Sequence, residues 1–194
     1  MPTLVVPFRG TGGKSRLEPL ADAVREAVAH AMLADVLAAA AAVGPTFLVA
    51  PEAAASATHV ADPHRGQGAA VAAALDAAVG AGAAPPFVVV NADLPCARPR
   101  DLLALAGSVP ADGLAVAAAL DGTTNALALA SADLFRPLYG PGSADRFAGL
   151  GPSQRVDAPN LVDDVDTIDD LARLEPRLGP QTRRAFASLR RRAA

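Results

Sequence analysis

Short apolar runs that alternate with alanine-rich stretches are the feature that most constrains the fold of this chain. The clearest run is Phe87–Val90, and residues 3–8 form another just before a glycine-rich stretch. Runs this short and this apolar are typical of strands buried on both faces of a parallel sheet. Strands that alternate with helices predict an α/β fold with a mainly parallel central sheet and helices on both faces.

Further strands and helices follow the same alternation. Strands are predicted over residues 47–50, 58–61, 114–120 and 126–130, and helices over residues 17–43, 69–79, 99–106 and 168–178. The glycine- and proline-rich residues 139–151 predict a loop with room for one helical turn. A chain of 194 residues without internal repeats predicts one compact core. Residues 181–194, which carry five arginines, are expected to form a basic C-terminal helix or tail that is solvated rather than bound to RNA.

Composition excludes several classes of protein. The net charge of −3 offers nucleic acid no general attraction, and no run approaches the roughly 20 large apolar residues of a membrane span. The lone Cys96 permits no internal disulfide, and the first residues lack the basic start and cleavage site of a secretory signal. We therefore expect a cytoplasmic protein that binds neither nucleic acid nor membranes. Its oligomeric state is open, with a homodimer as one option.

The stretch RGTGGKSRL, residues 9–17, looks like a phosphate-binding loop but matches neither common pattern. A Walker A motif would need glycine where Phe8 stands, and a dinucleotide fingerprint would need its third glycine where Ser15 stands. The loop also carries Lys14, the only lysine among the 17 basic residues. An ammonium group is a compact charge suited to phosphate oxygens, so Lys14 is a candidate anion ligand.

Three aspartates form a candidate metal site. Asp93 follows the most apolar strand, and ligands of open α/β sheets collect beyond the carboxyl ends of strands. Asp164 and Asp166 are two residues apart, so in an extended segment they share one face while Val165 packs inward. Close carboxylates repel unless a cation lies between them, and magnesium prefers such oxygen ligands together with water and substrate phosphate. The neighbouring polar residues are expected to be surface charges or helix-cap partners: Asp163, Asp169, Asp170 and the N-cap Thr167.

Six stretches together resemble the guanylyltransferases of coenzyme F420 biosynthesis, the CofC/FbiD family, which are relatives of the molybdenum-cofactor nucleotidyltransferases. They are VVPFRGTGGKSRL at residues 5–17, GQGAAV at 66–71, NADLP at 91–95, GTTNALAL at 122–129, GPGS at 140–143 and PNLVDDVDTIDDL at 159–171. They occur in the family's order and span nearly the whole chain. The ordered set, rather than any single motif, carries the resemblance.

The resemblance implies a single-domain Rossmann-like, GT-A-like nucleotidyltransferase fold over residues 1–180. It also implies transfer of GMP from GTP to a small phosphorylated three-carbon acid, with release of pyrophosphate. The implied Mg²⁺ ligands are Asp93, Asp164 and Asp166, and the implied catalytic residues are Asp93, Lys14 and Arg16. The implied nucleotide contacts are Gly12, Gly13, Lys14, Ser15 and Gly66. The carboxylate of the acid would bind at Thr124, Gly140 and Ser143.

Two alternatives stay open at the level of sequence. One is another MobA-like nucleotidyltransferase with a different nucleotide or acceptor, and the other is a non-catalytic nucleotide-binding module. The acceptor is also open among phosphoenolpyruvate, 2-phospho-L-lactate and 3-phosphoglycerate. The arginine- and alanine-rich composition is typical of GC-rich genomes and by that association favours phosphoenolpyruvate.

Overall fold

A computed structural model describes residues 1–10 and 21–193 of the chain. Its strands are β1 (Thr3–Pro7), β2 (Thr46–Val49), β3 (Thr58–Val60), β4 (Phe87–Val90), β5 (Leu114–Ala118), β6 (Thr124–Leu129) and β7 (Ser153–Arg155). They form one sheet in the order β3-β2-β1-β4-β6-β5-β7. All residues of β1 are buried, since this strand has a parallel neighbour on each side.

β6 runs against the other strands of this sheet. It pairs antiparallel with both β4 and β5, whereas the pairs β1–β2, β1–β4, β2–β3 and β5–β7 are parallel. The chain leaves β5 and enters β6 through the short polar connection at residues 119–123, and so short a connection can join only antiparallel strands. The sheet is therefore mainly parallel, as the sequence predicts.

Helices cover both faces of the sheet. They are α1 (Asp22–Ala41), α2 (Gln67–Gly80), α3 (Pro99–Gly107), α4 (Ser143–Ala148), α5 (Pro159–Val162), α6 (Ile168–Leu174) and α7 (Pro180–Ala193), with a 3₁₀ helix at Ala132–Leu134. α1 and α3 pack with Leu4 and Val88 on one face, while α2 and α4 pack with Val5 and Val89 on the other. Successive residues of β1 and β4 thus enter two different cores, which confirms the predicted layering.

Three elements differ from the sequence expectation. β7 lies where the sequence predicts no strand, because its residues are polar and exposed and pair with β5 at the edge of the sheet. α5 is a single turn that begins at Pro159, too short to show an apolar period. α6 ends at Leu174 rather than at residue 178, because Pro176 has no N–H with which to continue the helix.

The C-terminal helix α7 packs on α1. Phe186 is 3% exposed and shares an apolar cluster with Val28 and Met32 of α1. Ala185 and Leu189 flank this contact, so apolar residues interleave the arginines at the three- and four-residue spacing of one helix face. The expectation of a solvated tail is wrong for this face, and that spacing is the signal that would have predicted the packing. The division of the chain at residue 180 stays a prediction.

Among the described helices, no apolar segment is long enough to cross a bilayer.

Candidate active site

A pocket of about 220 Å³ opens at the carboxyl ends of β1 and β4. Three parts of the chain line it: the end of β1, the residues that follow β4, and Asp166 from the segment before α6. α1 and the start of α2 complete the wall. The lining residues are Pro7, Phe8, Arg9, Gly10, Ala29, Met32, Gln67, Asn91, Ala92, Asp93 and Asp166. The pocket therefore lies at the edge of the sheet where the sequence predicts a ligand.

Backbone contacts bring Asp93 and Asp166 to this common pocket. The amide of Val165 donates a hydrogen bond of 3.1 Å to the carbonyl oxygen of Asp93. The Val165 side chain is fully buried in the cluster that contains Cys96, which confirms that it packs inward. Asp166 is anchored on its other side, since its amide lies 3.3 Å from Oδ2 of Asp170. Both candidate ligands are half-buried and thus combine solvent access with a fixed backbone.

Of the three candidate metal ligands, Asp93 and Asp166 line this pocket. Asp164, two residues before Asp166, is half-buried and is not among the lining residues. Within residues 1–10 and 21–193, no group of three or more histidine, cysteine, aspartate or glutamate side chains is arranged to hold a metal ion. Two carboxylates nevertheless fit magnesium, which binds proteins through one or two carboxylates and completes its octahedron with water and substrate phosphates. The assignment of all three aspartates as ligands stays a prediction.

Asp163 and Asp170 bracket the candidate ligands and are held by arginines. Asp163 accepts a hydrogen bond of 2.7 Å from Arg173 and a second one from Arg177, and its side chain is 13% exposed. Burial works to raise the pKa of Asp163, but the hydrogen bonds from Arg177 and Arg173 outweigh it and lower that pKa. Arg173 also binds Asp170 at 3.0 Å. The expectation that Asp163 is a simple surface charge is wrong, because its carboxylate ties the segment to α6.

The predicted N-cap of α6 is confirmed. The Thr167 hydroxyl accepts a hydrogen bond from the amide of Asp170 at 3.2 Å, and Asp170 accepts one from the amide of Thr167 at 2.9 Å. This reciprocal pair is a capping box, which satisfies two backbone donors at the start of the helix. It fixes the residues that immediately follow Asp166.

A chain of amide side chains leads away from the pocket towards β6. Nε2 of Gln67 donates to Oδ1 of Asn91 at 2.7 Å, and Nδ2 of Asn91 donates to the carbonyl of Thr124 at 3.1 Å. Sequence reasoning assigns no role to Gln67 or Asn91, although both lie within stretches that carry the resemblance. Their fixed orientation makes them candidates for direct contact with a ligand in this pocket.

The residues predicted to receive the acid carboxylate do lie together. Oγ1 of Thr124 and Oγ of Ser143 are 3.0 Å apart, and both residues are buried. The amide of Ser143 donates to the carbonyl of Gly140 at 3.0 Å. Gly140 borders a second pocket, of about 740 Å³, which shares Arg9 and Gln67 with the first one. The two hydroxyls bond each other rather than face open space, so their role in binding stays a prediction.

Arg9 begins the stretch predicted to be a phosphate loop, and Gly66 is the predicted nucleotide contact that the structure describes. Gly66 is the N-cap of α2 with a φ of +97°, which disfavours any other residue there. A Cβ at that position would lie 3.0 Å from a guanidinium nitrogen of Arg9. The other predicted nucleotide contacts, Gly12, Gly13, Lys14 and Ser15, and the predicted catalytic residue Arg16 lie outside the described residues. Arg9, which the sequence singles out only as part of the loop, borders the pocket directly.

The family model of the MobA-like NTP transferase domain matches residues 6–147. The chain belongs to this family. The matched range includes the two segments that lead into the pocket from β1 and β4, whereas Asp166 lies beyond it. This MobA-like chain therefore obtains the second carboxylate of its pocket from a part of the sequence that the family model does not cover.

Curated relatives narrow the place of this MobA-like chain within the family. It is 37% identical over 212 aligned positions to a phosphoenolpyruvate guanylyltransferase from Streptomyces scabiei strain 87.22, with 96% of each chain covered. It is 36% identical to a 2-phospho-L-lactate guanylyltransferase from Natrialba magadii, over 87% of this chain and 80% of that one. These relatives confirm the resemblance drawn from the six ordered stretches.

Solved structures share the fold at lower identity. A structure from Desulfovibrio desulfuricans G20, assigned as a nucleotide-diphospho-sugar transferase, superposes with a TM-score of 0.75 at 16% identity and covers 98% of this MobA-like chain and 94% of its own. A Mycobacterium tuberculosis H37Rv protein in complex with manganese superposes with a TM-score of 0.53 at 22% identity, covering 89% and 97%. At such identities the likeness concerns the fold alone, and it confirms the predicted architecture.

Proposed function

We propose that this protein transfers GMP from GTP to the phosphate of phosphoenolpyruvate or 2-phospho-L-lactate, releases pyrophosphate, and acts in coenzyme F420 biosynthesis. The observation that carries the proposal is the meeting of Asp93 and Asp166 in one pocket beside Arg9. A pocket with two carboxylates and a cation at the ends of parallel strands suits a nucleotide that arrives with a divalent ion. Two guanylyltransferases with 36% and 37% identity support the choice of GTP.

The reaction is a displacement at the α-phosphorus of GTP. A phosphate oxygen of the acid forms a bond to that phosphorus, and the bond from it to the β-phosphate oxygen breaks, which releases pyrophosphate. The second pKa of a phosphate ester is about 6, so the attacking group is already mostly ionised at neutral pH. The reaction therefore needs no protein base. The barrier lies in bringing two anions together, so positioning and charge neutralisation supply the catalysis.

In this proposal Asp93, Asp164 and Asp166 hold Mg²⁺, whose positive charge would offset that of the phosphates and of the leaving pyrophosphate. Lys14 and Arg16 neutralise further charge on the GTP phosphates and on the leaving pyrophosphate. The backbone of the opening loop and the N-cap of α2 contact the phosphates through Gly12, Gly13, Ser15 and Gly66. The carboxylate of the acid binds near Thr124, Gly140 and Ser143. A cytoplasmic location belongs to the same proposal.

Mass spectrometry of the products tests this function. The protein is incubated with MgCl₂, GTP and one acid at a time: phosphoenolpyruvate, 2-phospho-L-lactate or 3-phosphoglycerate. We expect one dominant product whose mass is that of the acid plus GMP less water, together with an equimolar amount of pyrophosphate. Pyrophosphate release with CTP or UTP but not with GTP would overturn the nucleotide assignment. GTP binding without any product would favour a non-catalytic module.

A further inference from the structure

The loop at residues 138–142 lies between the 3₁₀ helix and α4 and borders the pocket of about 740 Å³. Arg146 of α4 folds back over this loop. Its Nη1 donates a hydrogen bond of 2.6 Å to the carbonyl of Pro141, and its Nη2 donates one of 2.8 Å to the carbonyl of Leu138. A third carbonyl, that of Tyr139, lies 3.5 Å from the same Nη2. One guanidinium therefore gathers carbonyl oxygens of the loop on a single side.

The bonds to Arg146 orient the amides of the loop. In a trans peptide the carbonyl and the following N–H point in opposite directions, so the amides of Tyr139 and Gly142 are directed away from the guanidinium. The longer contact to the carbonyl of Tyr139 turns the amide of Gly140 the same way. None of these three amides donates a hydrogen bond to another residue within the ranges 1–10 and 21–193. They are therefore donors available to a ligand on the side away from Arg146.

Other contacts hold both ends of the loop. At its start, a Cβ on Gly68 of α2 would lie 2.5 Å from the Cβ of Pro137, so the two segments approach closely there. At its end, the amide of Ala144 donates to the carbonyl of Gly122 at 3.2 Å. The loop therefore keeps its place without Arg146, whereas the direction of its central peptide units depends on that residue. Removal of the Arg146 side chain should change ligand binding more than it changes the fold.

We propose that Arg146 is a positioning residue for the acceptor acid: it holds the loop so that the amides of Gly140 and Gly142 donate to the carboxylate of that acid. Amides that are oriented before the acid arrives need no reordering when it binds, which favours affinity. The guanidinium also polarises the carbonyls that it binds, and this strengthens the N–H groups of the same peptide units as donors. The inference rests on the proposed function and adds to it a residue that acts through the backbone.

Steady-state kinetics of Arg146→Gln test this role. The glutamine side chain is shorter, and it has one nitrogen in place of the two that bind the carbonyls. We expect the KM for phosphoenolpyruvate or 2-phospho-L-lactate to rise about tenfold, because hydrogen bonds to a charged carboxylate are weakened. The kcat and the KM for GTP should stay within about threefold of wild type, since metal and phosphate contacts are unchanged.

Two comparisons separate positioning from a general effect. Ethyl phosphate is 2-phospho-L-lactate without its carboxylate, so Arg146→Gln should leave kcat/KM for ethyl phosphate nearly unchanged while it lowers that for the acid about tenfold. Arg146→Lys keeps the positive charge but has one nitrogen instead of a planar fork, so it should restore only part of the wild-type value. Equal losses for the acid and for ethyl phosphate, or full recovery with lysine, would overturn the positioning role.

Arg136→Gln is the matched control. Arg136 lies in the same connection between β6 and α4, and its side chain also donates to backbone carbonyls, those of Asp133 and Phe135, at 2.8 and 2.7 Å. It binds no carbonyl of residues 138–142, so its replacement should leave the KM for the acid unchanged. Both arginines are exposed, and we expect both variants to keep the circular dichroism spectrum and the melting curve of wild type.

Nuclear magnetic resonance provides a readout that needs no turnover. The ¹⁵N-labelled protein is prepared with MgCl₂ and α,β-methylene-GTP, which cannot release pyrophosphate. Phosphoenolpyruvate or 2-phospho-L-lactate should then shift the amide resonances of Gly140 and Gly142, whereas ethyl phosphate should not. Arg146→Gln should lose this response, and Arg136→Gln should keep it.

The outcomes separate this inference from the proposed function. If wild-type protein forms product but the resonances of Gly140 and Gly142 do not respond to the acid, the role of Arg146 is overturned while the function stands. The same holds if Arg146→Gln keeps the wild-type KM for the acid. If the resonances respond in wild type and not in the variant, although no acid yields product, the positioning role is supported and the proposed function fails.

Discussion

The active-site pocket and the junction between α1 and α7 are both built around aspartates, and they use them in opposite ways. Asp35 of α1 is 5% exposed, and its two oxygens accept hydrogen bonds from the amides of Gln181 and Thr182 at 3.0 and 2.8 Å. Asp93 and Asp166 are half-buried and line an open pocket. A buried carboxylate with fixed backbone donors stabilises a helix start, whereas a carboxylate that faces a pocket is available for a ligand.

Gly179 is required at the junction for a steric reason. A Cβ on this residue would lie 2.2 Å from the carboxylate carbon of Asp35. The close approach of the backbone lets Asp35 reach the first amides of α7, while the amide of Gly179 itself donates to the carbonyl of Pro95 at 2.8 Å. The junction thus ties α7 to the segment that follows Asp93. We therefore expect substitutions at the pocket to lower turnover and substitutions at the junction to lower stability.

The largest effect is expected at the pocket. Asp93→Asn or Asp166→Asn should lower kcat by about 1,000-fold or more, because each replaces a charged metal ligand with a neutral side chain of nearly the same shape. Pyrophosphate release measures turnover, and urea denaturation should give a free energy of unfolding close to the wild-type value. Near-normal turnover of both variants across a Mg²⁺ titration would show that these aspartates belong with Asp35 as structural residues.

Lys14→Ala should have the next largest effect. The loss of the only lysine from the phosphate loop is expected to lower kcat/KM for GTP by about 100-fold, comparable to removal of one charge-stabilising donor. Arg191→Ala, in the exposed part of α7, serves as the control and should change kcat/KM less than twofold. Equal small effects of the two substitutions would mean that Lys14 is one more surface cation.

Asp35→Ala tests the junction. We expect the free energy of unfolding to fall by about 2 kcal/mol, because two amides at the start of α7 lose their partner inside the protein. The kcat of the folded variant should stay within twofold of wild type. Urea denaturation measures the change, with Asp157→Ala at an exposed position as the control that should alter stability little. A loss of turnover without a loss of stability would contradict the division between the two regions.

The smallest effect is expected at Arg173, which bridges Asp163 and Asp170 on either side of the candidate ligands. Because its side chain is 48% exposed, Arg173→Gln should raise the Mg²⁺ concentration for half-maximal binding only about threefold. Mn²⁺ binding, followed by electron paramagnetic resonance, provides a readout besides activity. Arg184→Gln should leave metal binding unchanged. An equal effect of both substitutions would remove the positioning role of Arg173.

Sequence reasoning succeeds where the signal is local. The strand Phe87–Val90 has the predicted bounds, since four consecutive apolar residues between prolines and a polar stretch leave little choice. Val165 is buried as predicted, because alternation in an extended segment already assigns its side. Where the pattern is short or polar the prediction fails, as at β7, whose three exposed residues become a strand only because the edge of β5 offers partners.

The site shows the same limit. The position of Asp93 after β4 indicates a ligand from sequence alone, and the two-residue spacing groups Asp166 with Asp164, but nothing local predicts the arginine partners of Asp163. Asp163 accepts hydrogen bonds from Arg173 and Arg177, whereas Asp166 reaches the pocket. Both arginines lie ten or more positions further along the chain, so their choice of partner depends on how α6 and the turn after it fold back.

By itself, the sequence determined the layered α/β architecture, the edge of the sheet where ligands collect and the kinship with the MobA-like NTP transferases, because apolar periodicity and motif order are properties of the chain as written. Only the tertiary structure decided which aspartates line a pocket and which bind backbone amides or arginines. It also decided that the arginine-rich C-terminal helix packs on α1. The physical reason is that the role of a carboxylate depends on the donors around it, and folding brings those donors from distant parts of the sequence.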